Sequence, residues 1–475
     1  MSENSRVVKA AGVVGAATLL SRILGFIRDA VIAWFFGAGL SSDAFIAAFR
    51  IPNLLRRLFA EGSLSSAFIP VFTQYIVRQG QPEALHLARS AFRLLSVLLI
   101  LVSIGGILLS PWIVRFVAPG FVADKYSLTV TLTRLMFPYI FFVGLVALCM
   151  GILNVLGHFA APALAPVLLN ISIIGSVLII SPSLSVPAVG LAVGVLIGGV
   201  LQLSIQLPAL LRNGFRFWEK AKFLHPGLKQ IGTLIPPVIL GGAVYQINIV
   251  ISTILGSLLE EGSVTYLYFA DRLVQFPLGV FAIAAATAVL PSLSRQAASE
   301  DFEALKVTFD HALKLVFFIS IPAMMGLIVL REPIVALLFQ RGEFDALATR
   351  LTAQALLYYS LGLWAFSAVR IVAATFFAMQ DTRTPVKMAG LSILVNIILG
   401  IFLMKPLGHG GLALATSLAS ILNLGLLVRA LKNKLGGLGW KSIARSFCKT
   451  LVSLSLIHIS EPTRPPVASR MPSSA

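Results

Sequence analysis

Twelve apolar runs of roughly 20 residues divide this chain, each long enough to cross a bilayer. They lie near 10–36, 43–76, 91–113, 128–153, 159–181, 187–211, 230–256, 264–294, 312–332, 349–379, 385–404 and 410–431. Hydrocarbon offers a peptide N–H or C=O no partner, so runs of this length must close their own backbone bonds as helices. Of the 475 residues only 12% are charged, against about 25% in a soluble domain, and 57% are hydrophobic. The expectation is an all-α polytopic membrane protein, with mean hydropathy of +0.92.

The net charge of +18 points to loops facing the cytoplasm rather than to nucleic acid. The basic residues lie between spans, with no aromatic platform among them. With the N-terminus inside, twenty Lys and Arg fall on the cytoplasmic side and six (Arg115, Lys125, Arg331, Arg341, Arg350, Lys405) on the other. That asymmetry sets the orientation. Ser2–Lys9 runs straight into a span, so no cleavable signal is expected. Cys149 and Cys448 give no disulfide framework.

Charge inside the spans is the functional signal. In the first run Gly15, Arg22 and Asp29 recur every seven residues, nearly two helical turns, with Thr18 and Gly25 beside them. In the second, Asp43, Arg50 and Arg57 repeat the spacing, with Asn53 and Glu61 on the same side. Pro52 is expected to break that helix and free backbone groups for water or ligand. Each ionisable group at membrane depth costs several kcal/mol unless paired, hydrated or bound. Arg56 lies too deep to snorkel to the surface.

Two readings are open: internal ion-pair struts, or a wet cationic site for an anion. Struts should balance in sign, yet Arg22, Arg28, Arg50, Arg56 and Arg57 face only Asp29, Asp43 and Glu61. The surplus favours the anion. Asp271-Arg272 and Arg370 in later spans could face the same cavity. A cation-coupled drug exporter would call for buried carboxylates and aromatics instead. A membrane enzyme would need a catalytic acid, base or metal cluster. No Gly-Lys pair, hence no ATP-binding loop, and no metal-ligand spacing among the six histidines is present. Neither enzyme nor resident metal is expected. Gly408-His-Gly-Gly411 reads as a tight turn rather than a phosphate cradle.

Residues 152–171 align over 378–397, each ending one span, turning, and opening another with Asn-Ile (170 and 396) about three turns in. Pro70 in the second span and Pro291 in the eighth correspond at a nearby spacing. This suggests two six-helix lobes, 1–215 and 230–432, joined by a basic cytoplasmic linker, 216–229, with the substrate between them. Residues 433–459 read as an incomplete thirteenth helix. Residues 460–475 look unlike the rest, a non-native or disordered tail.

Ser21-Arg-Ile-Leu-Gly-Phe-Ile-Arg-Asp-Ala30, Phe36-Gly-Ala-Gly39, Ser42-Asp-Ala-Phe45 and Pro52-Asn-Leu-Leu-Arg-Arg-Leu-Phe-Ala-Glu-Gly62 closely resemble the bacterial MurJ (MviN) lipid II flippases. Tyr268-Phe-Ala-Asp-Arg-Leu273 and Gln380-Asp-Thr-Arg-Thr-Pro385 match later segments of that family. The resemblance implies the multidrug/oligosaccharidyl-lipid/polysaccharide exporter fold and a central cationic cavity. It implies flipping of an undecaprenyl-diphosphate peptidoglycan precursor from the cytoplasmic to the outer leaflet of the bacterial inner membrane. Its alternatives are another polyprenyl-diphosphate glycan or a drug exporter of the same fold. By motif match the family's functional arginines fall on Arg22, Arg28, Arg56 and Arg272, supported by Asp29, Asp43, Asn53, Arg57, Glu61 and Asp271. Expected partners are the lipid-linked precursor and membrane lipids, with no nucleic acid and a monomeric chain. No cofactor is implied beyond a coupling ion or the membrane potential. Two departures stand out: Gln275 occupies a position where relatives often carry an acid, and of the family's two further helices the thirteenth is incomplete and the fourteenth missing. The truncated chain is therefore expected to transport poorly.

Overall fold

The structure, a computed structural model, describes residues 3–58, 64–219, 225–437, 445 and 447. Among them there are helices and turns but no strand. The first helices are α1 (Glu3–Phe36), α2 (Leu40–Leu58), α3 (Leu64–Gln79), α4 (Gln81–Val117), α5 (Ala123–Met136) and α6 (Tyr139–Val155). Next come α7 (Ala160–Gly175), α8 (Ala188–Ser204), α9 (Leu207–Arg212), α10 (Pro226–Ser257), α11 (Ser263–Pro277) and α12 (Ile283–Ala298). The last are α13 (Phe302–Val329), α14 (Arg331–Phe339), α15 (Ala346–Ser360), α16 (Leu363–Ala378) and α17 (Arg383–Leu435). Glu61 and the region from 438 onward, apart from 445 and 447, lie outside the described residues. So do most of the expected incomplete helix and the whole of the tail.

Among the described residues, seven helical segments are long and apolar enough to span a membrane, and α15 with α16, bent by 43°, makes an eighth. The other expected spans fall on α1, on α2 with α3, and on α10. α1 and α2 are the helices that carry charge where lipid would demand apolar side chains. Breaks in the spans have local causes. Pro138 separates α5 from α6, and Pro277 ends α11 in a π turn, Leu278–Ala282, before α12. Inside α17, Gly408 takes φ +56, ψ −136, and the chain kinks there. Only glycine adopts such angles without strain. Pro52 departs from expectation: α2 runs unbroken through it. A proline removes one intrahelical bond, to the carbonyl four residues earlier, and a helix can absorb that loss as a local bend.

The described helices form two compact units. One holds the residues up to Ala270 with 332–355 and 397–415; the other holds 271–331, 356–396 and those from 416 on. In the first, Phe68, Phe72, Tyr139, Ile152 and Val195 are buried in one core. α8 presents Gly190, Gly194 and Gly198 at every fourth position, one face of small residues. A Cβ on Gly194 would lie 2.8 Å from the Ser176 side chain and 3.0 Å from the backbone of Ile173. Without side chains there, α7 seats closely on α8, and Ser172 Oγ donates to the Gly194 carbonyl at 2.8 Å. This is small-residue helix packing as lipid requires it, because van der Waals contact must replace the hydrophobic drive. α7 in turn packs along α1. The second unit packs α12, α13 and α16 together around Leu293, Val316, Ile321 and Ile371.

Candidate functional site

Arg28 and Asp29 lie on α1 where it meets α7, and both are buried, at 7% and 2% exposure. The guanidinium grips Asp29 Oδ1 through Nε at 3.0 Å and Nη2 at 2.6 Å. Its Nη1 donates to Asn170 Oδ1 at 3.1 Å, and Nη2 also reaches the Tyr268 hydroxyl at 3.2 Å. Tyr268 Oη is 3.2 Å from the same Asp29 oxygen, to which it donates. Asn170 is itself aimed: its Nδ2 donates to the Ser21 carbonyl at 3.0 Å. A Cβ on Gly25 would lie 3.6 Å from that amide, an ordinary van der Waals contact, so α1 and α7 meet closely there. The packing chain is α8 on α7 on α1, and it ends by holding Arg28 in place.

Asp43, at the start of α2, is organised differently. At 1% exposure its Oδ1 accepts from Thr265 N at 2.9 Å and Thr265 Oγ1 at 2.6 Å. Its Oδ2 accepts from Gly262 N at 2.8 Å and Lys125 Nζ at 2.5 Å. Two of these donors are orphan N–H groups at the N-terminus of α11, where a carboxylate also meets the positive end of the helix dipole. Gly262 is held at φ +88, and a Cβ there would sit 2.6 Å from the Ala38 carbonyl. Asp43 is a helix cap delivered from another helix.

The remaining sequence candidates divide by position. Arg22 is exposed, and it has no hydrogen-bonding or ion-pair partner among the described residues. Arg50 Nη1 donates to the Ile249 carbonyl at 2.9 Å, and Arg56 Nε to Asn53 Oδ1 at 3.1 Å. Both of those acceptors are neutral oxygens. Arg57 continues α2. In the other unit Asp271 accepts from Gln275, one turn further along. Arg272 is half-buried on α11 and Arg370 exposed on α16. The structure thus gathers Arg28, Asp29, Asn170 and Tyr268 into one cluster and Asp43 with Lys125, Gly262 and Thr265 into another.

Asn170, Lys125 and Thr265 are absent from the sequence candidates. Asn170 had a visible signal, an amide in the middle of an otherwise apolar helix and in the repeated Asn-Ile. Lys125 and Thr265 had none, since a residue in a loop or first turn gives no sign of what it caps.

A family model described as lipid II flippase MurJ matches residues 32–461. The chain belongs to the MurJ family. A probable lipid II flippase MurJ of Vibrio cholerae is 40% identical over 437 residues, covering 90% of this chain and 83% of the relative. A lipid II flippase MurJ of Burkholderia cenocepacia is 38% identical over 433 residues, covering 89% and 83%. A solved MurJ structure in an inward closed conformation superposes with a TM-score of 0.81 at 28% identity, over 95% of this chain and 93% of that one. An inward-facing MATE transporter of the MOP superfamily shares the fold, with TM-score 0.71 at 16% identity over 93% and 96% of the two chains. MurJ proteins are transporters rather than enzymes, and this one is a multi-pass membrane protein.

Proposed function

We propose that this chain flips lipid II, the undecaprenyl-diphosphate-linked peptidoglycan precursor, from the cytoplasmic to the outer leaflet of the bacterial inner membrane. Membership of the MurJ family supports the substrate. The observation that carries the mechanism is the buried Arg28 guanidinium, gripped by the side chains of Asp29, Asn170 and Tyr268. A diphosphate carries about two negative charges, and the planar fork of Arg binds phosphate oxygens bidentately. When substrate arrives, Arg28 trades Asp29 for phosphate, and the Tyr268 hydroxyl keeps Asp29 partnered during the exchange. Arg22, exposed on α1, makes the first contact, and Arg56 a later one. Arg272 is tested by the same substitution in parallel. The polyprenyl tail stays in lipid while the head crosses.

The wider frame is alternating access by rocking of two lobes, 1–215 and 230–432, related by the 152–171 and 378–397 repeat. The two turns inside that repeat share one geometry. Gly157 (φ +81) and Gln380 (φ +58) each follow a helix, with the next N–H bonded five residues back, to Leu153 O and Phe376 O; the two turns stand three positions out of step with that alignment, which sets Gly157 over Arg383. The N-terminus lies in the cytoplasm, the chain acts as a monomer, and a coupling ion or the membrane potential drives the cycle.

The test is complementation of cells depleted of their own flippase. The chain is expected to restore growth, and its Arg28→Ala form at matched expression is not. Growth restored equally by both would remove Arg28 from the mechanism; growth restored by neither would remove the substrate assignment.

A further inference from the structure

The histidines show no metal-ligand spacing along the sequence, but folding brings two of them to one carboxylate. Glu83 and His86 sit three residues apart in the first turns of α4, on one face. His225, almost 140 residues later, is the N-cap of α10. His225 Nε2 lies 3.0 Å from Glu83 Oε1, and His86 Nδ1 lies 3.6 Å from the same oxygen. All three ligand atoms fall within 4.8 Å of one another. We propose that Glu83, His86 and His225 form a binding site for one borderline divalent transition ion of the Zn²⁺ class.

The distances suit it. Tetrahedral ligands at 2.0–2.1 Å from zinc stand roughly 3.3 Å apart, and the two measured separations lie either side of that value. Glu-x-x-His with a further His is a ligand set of imidazole and carboxylate, which selects Zn²⁺, Co²⁺ or Ni²⁺ over Mg²⁺ or Ca²⁺. Water would complete the coordination. Rigidity comes from His225, whose ring is buried and packs against Tyr75 at 5.2 Å and His86 at 5.4 Å between centroids. One adjustment is required. His225 Nδ1 accepts the Gly227 N–H at 3.1 Å, so in the metal-free state Nε2 carries the proton and points it at Glu83. The ion takes the place of that proton, the proton moves to Nδ1, and the Gly227 bond is given up. A single backbone bond contributes about 1 kcal/mol, a small loss beside three coordinate bonds. Occupied, the site would staple the end of the connector before α10 onto α4.

The experiment uses the full chain, purified in detergent without a polyhistidine tag and titrated with Co²⁺. A visible d–d absorption saturating at one ion per chain is expected, displaced by Zn²⁺ and unmoved by excess Mg²⁺. His86→Ala and Glu83→Gln, both on the partly exposed side of the cluster, should weaken binding 10–100-fold while leaving thermal stability without metal unchanged. In the parent, Zn²⁺ should raise the melting temperature, and in His86→Ala it should not. Failure of the parent to bind Co²⁺, or equal binding by parent and both variants, would overturn the proposal.

Discussion

Asp29 and Asp43 are both buried carboxylates, yet they are held in different ways. Asp29 is gripped by the Arg28 fork and the Tyr268 hydroxyl. Asp43 is held by two backbone N–H groups, a hydroxyl and a lysine. A side-chain partner can rotate toward a ligand; a helix terminus cannot leave without unwinding. On the proposed mechanism the first cluster exchanges partners with substrate and the second stays fixed. Sign and depth alone put both residues in the same list, and only the identity of the donors separates them.

The sharpest way to break this comparison is at Asp43. Asp43→Ala leaves Lys125 without its carboxylate and two α11 N–H groups without acceptors, and should cost about 3 kcal/mol, read as thermal denaturation in detergent. Asp43→Asn should lie between parent and Ala, since one amide oxygen can still serve Thr265 while the NH₂ group confronts donors. A parent-like melting point for both would make Asp43 dispensable to the fold and return it to the substrate candidates.

A smaller loss is expected at Asn170. Asn170→Leu removes the acceptor for Arg28 Nη1 and the donor to Ser21, worth about 1–2 kcal/mol together. Transport should fall more than stability does, because Arg28 loses its aim. Equal falls would mean that Asn170 only packs α7 on α1.

Outside the membrane a third carboxylate gives the low end of the scale. Asp381 accepts from Thr384 N at 3.0 Å and Thr384 Oγ1 at 2.8 Å, and pairs with Lys434 at 2.9 Å. The Thr384 N–H first, and Lys434 after it, hold its carboxyl down to about 2. An unfolded Asp titrates near 3.9. Because the folded value is the lower one, the contribution is complete above about pH 4 and is lost as pH falls toward 2. Asp381→Asn should therefore cost about 1 kcal/mol at neutral pH, and the gap to the parent should close as pH falls toward 2. A gap independent of pH would show that the carboxylate's charge contributes nothing.

Most of the fold was legible because lipid makes the rules strict: each apolar run of sufficient length became helical, and Gly408 marked its kink. Where helices break was less legible. Pro138 and Pro277 interrupt their spans whereas Pro52 does not, since the outcome depends on whether neighbouring packing holds the axis straight. For the site, the seven-residue recurrence singled out Arg22 with Asp29 and Asp43 with Arg50, and the structure sets them apart: Arg22 is exposed, whereas Asp29 and Asp43 are buried. The recurrence could not reveal Tyr268 or Lys125, which arrive from distant sequence and complete the clusters only after folding. Glu83, His86 and His225 were hidden for the same reason.

The central claim is that Arg28 is an exchangeable ligand rather than a strut, and the direct measurement is leaflet accessibility of the lipid precursor in cells. Arg28→Ala should lose roughly 30-fold or more in transport, the equivalent of one charge-assisted hydrogen bond of about 2 kcal/mol. Arg28→Lys should recover part of it, keeping the charge and losing the fork. Arg28→Ala combined with Asp29→Asn should stay as defective as Arg28→Ala alone, at matched expression. Transport restored by that second neutralisation would mean that Arg28 serves only to balance Asp29, and would contradict the account.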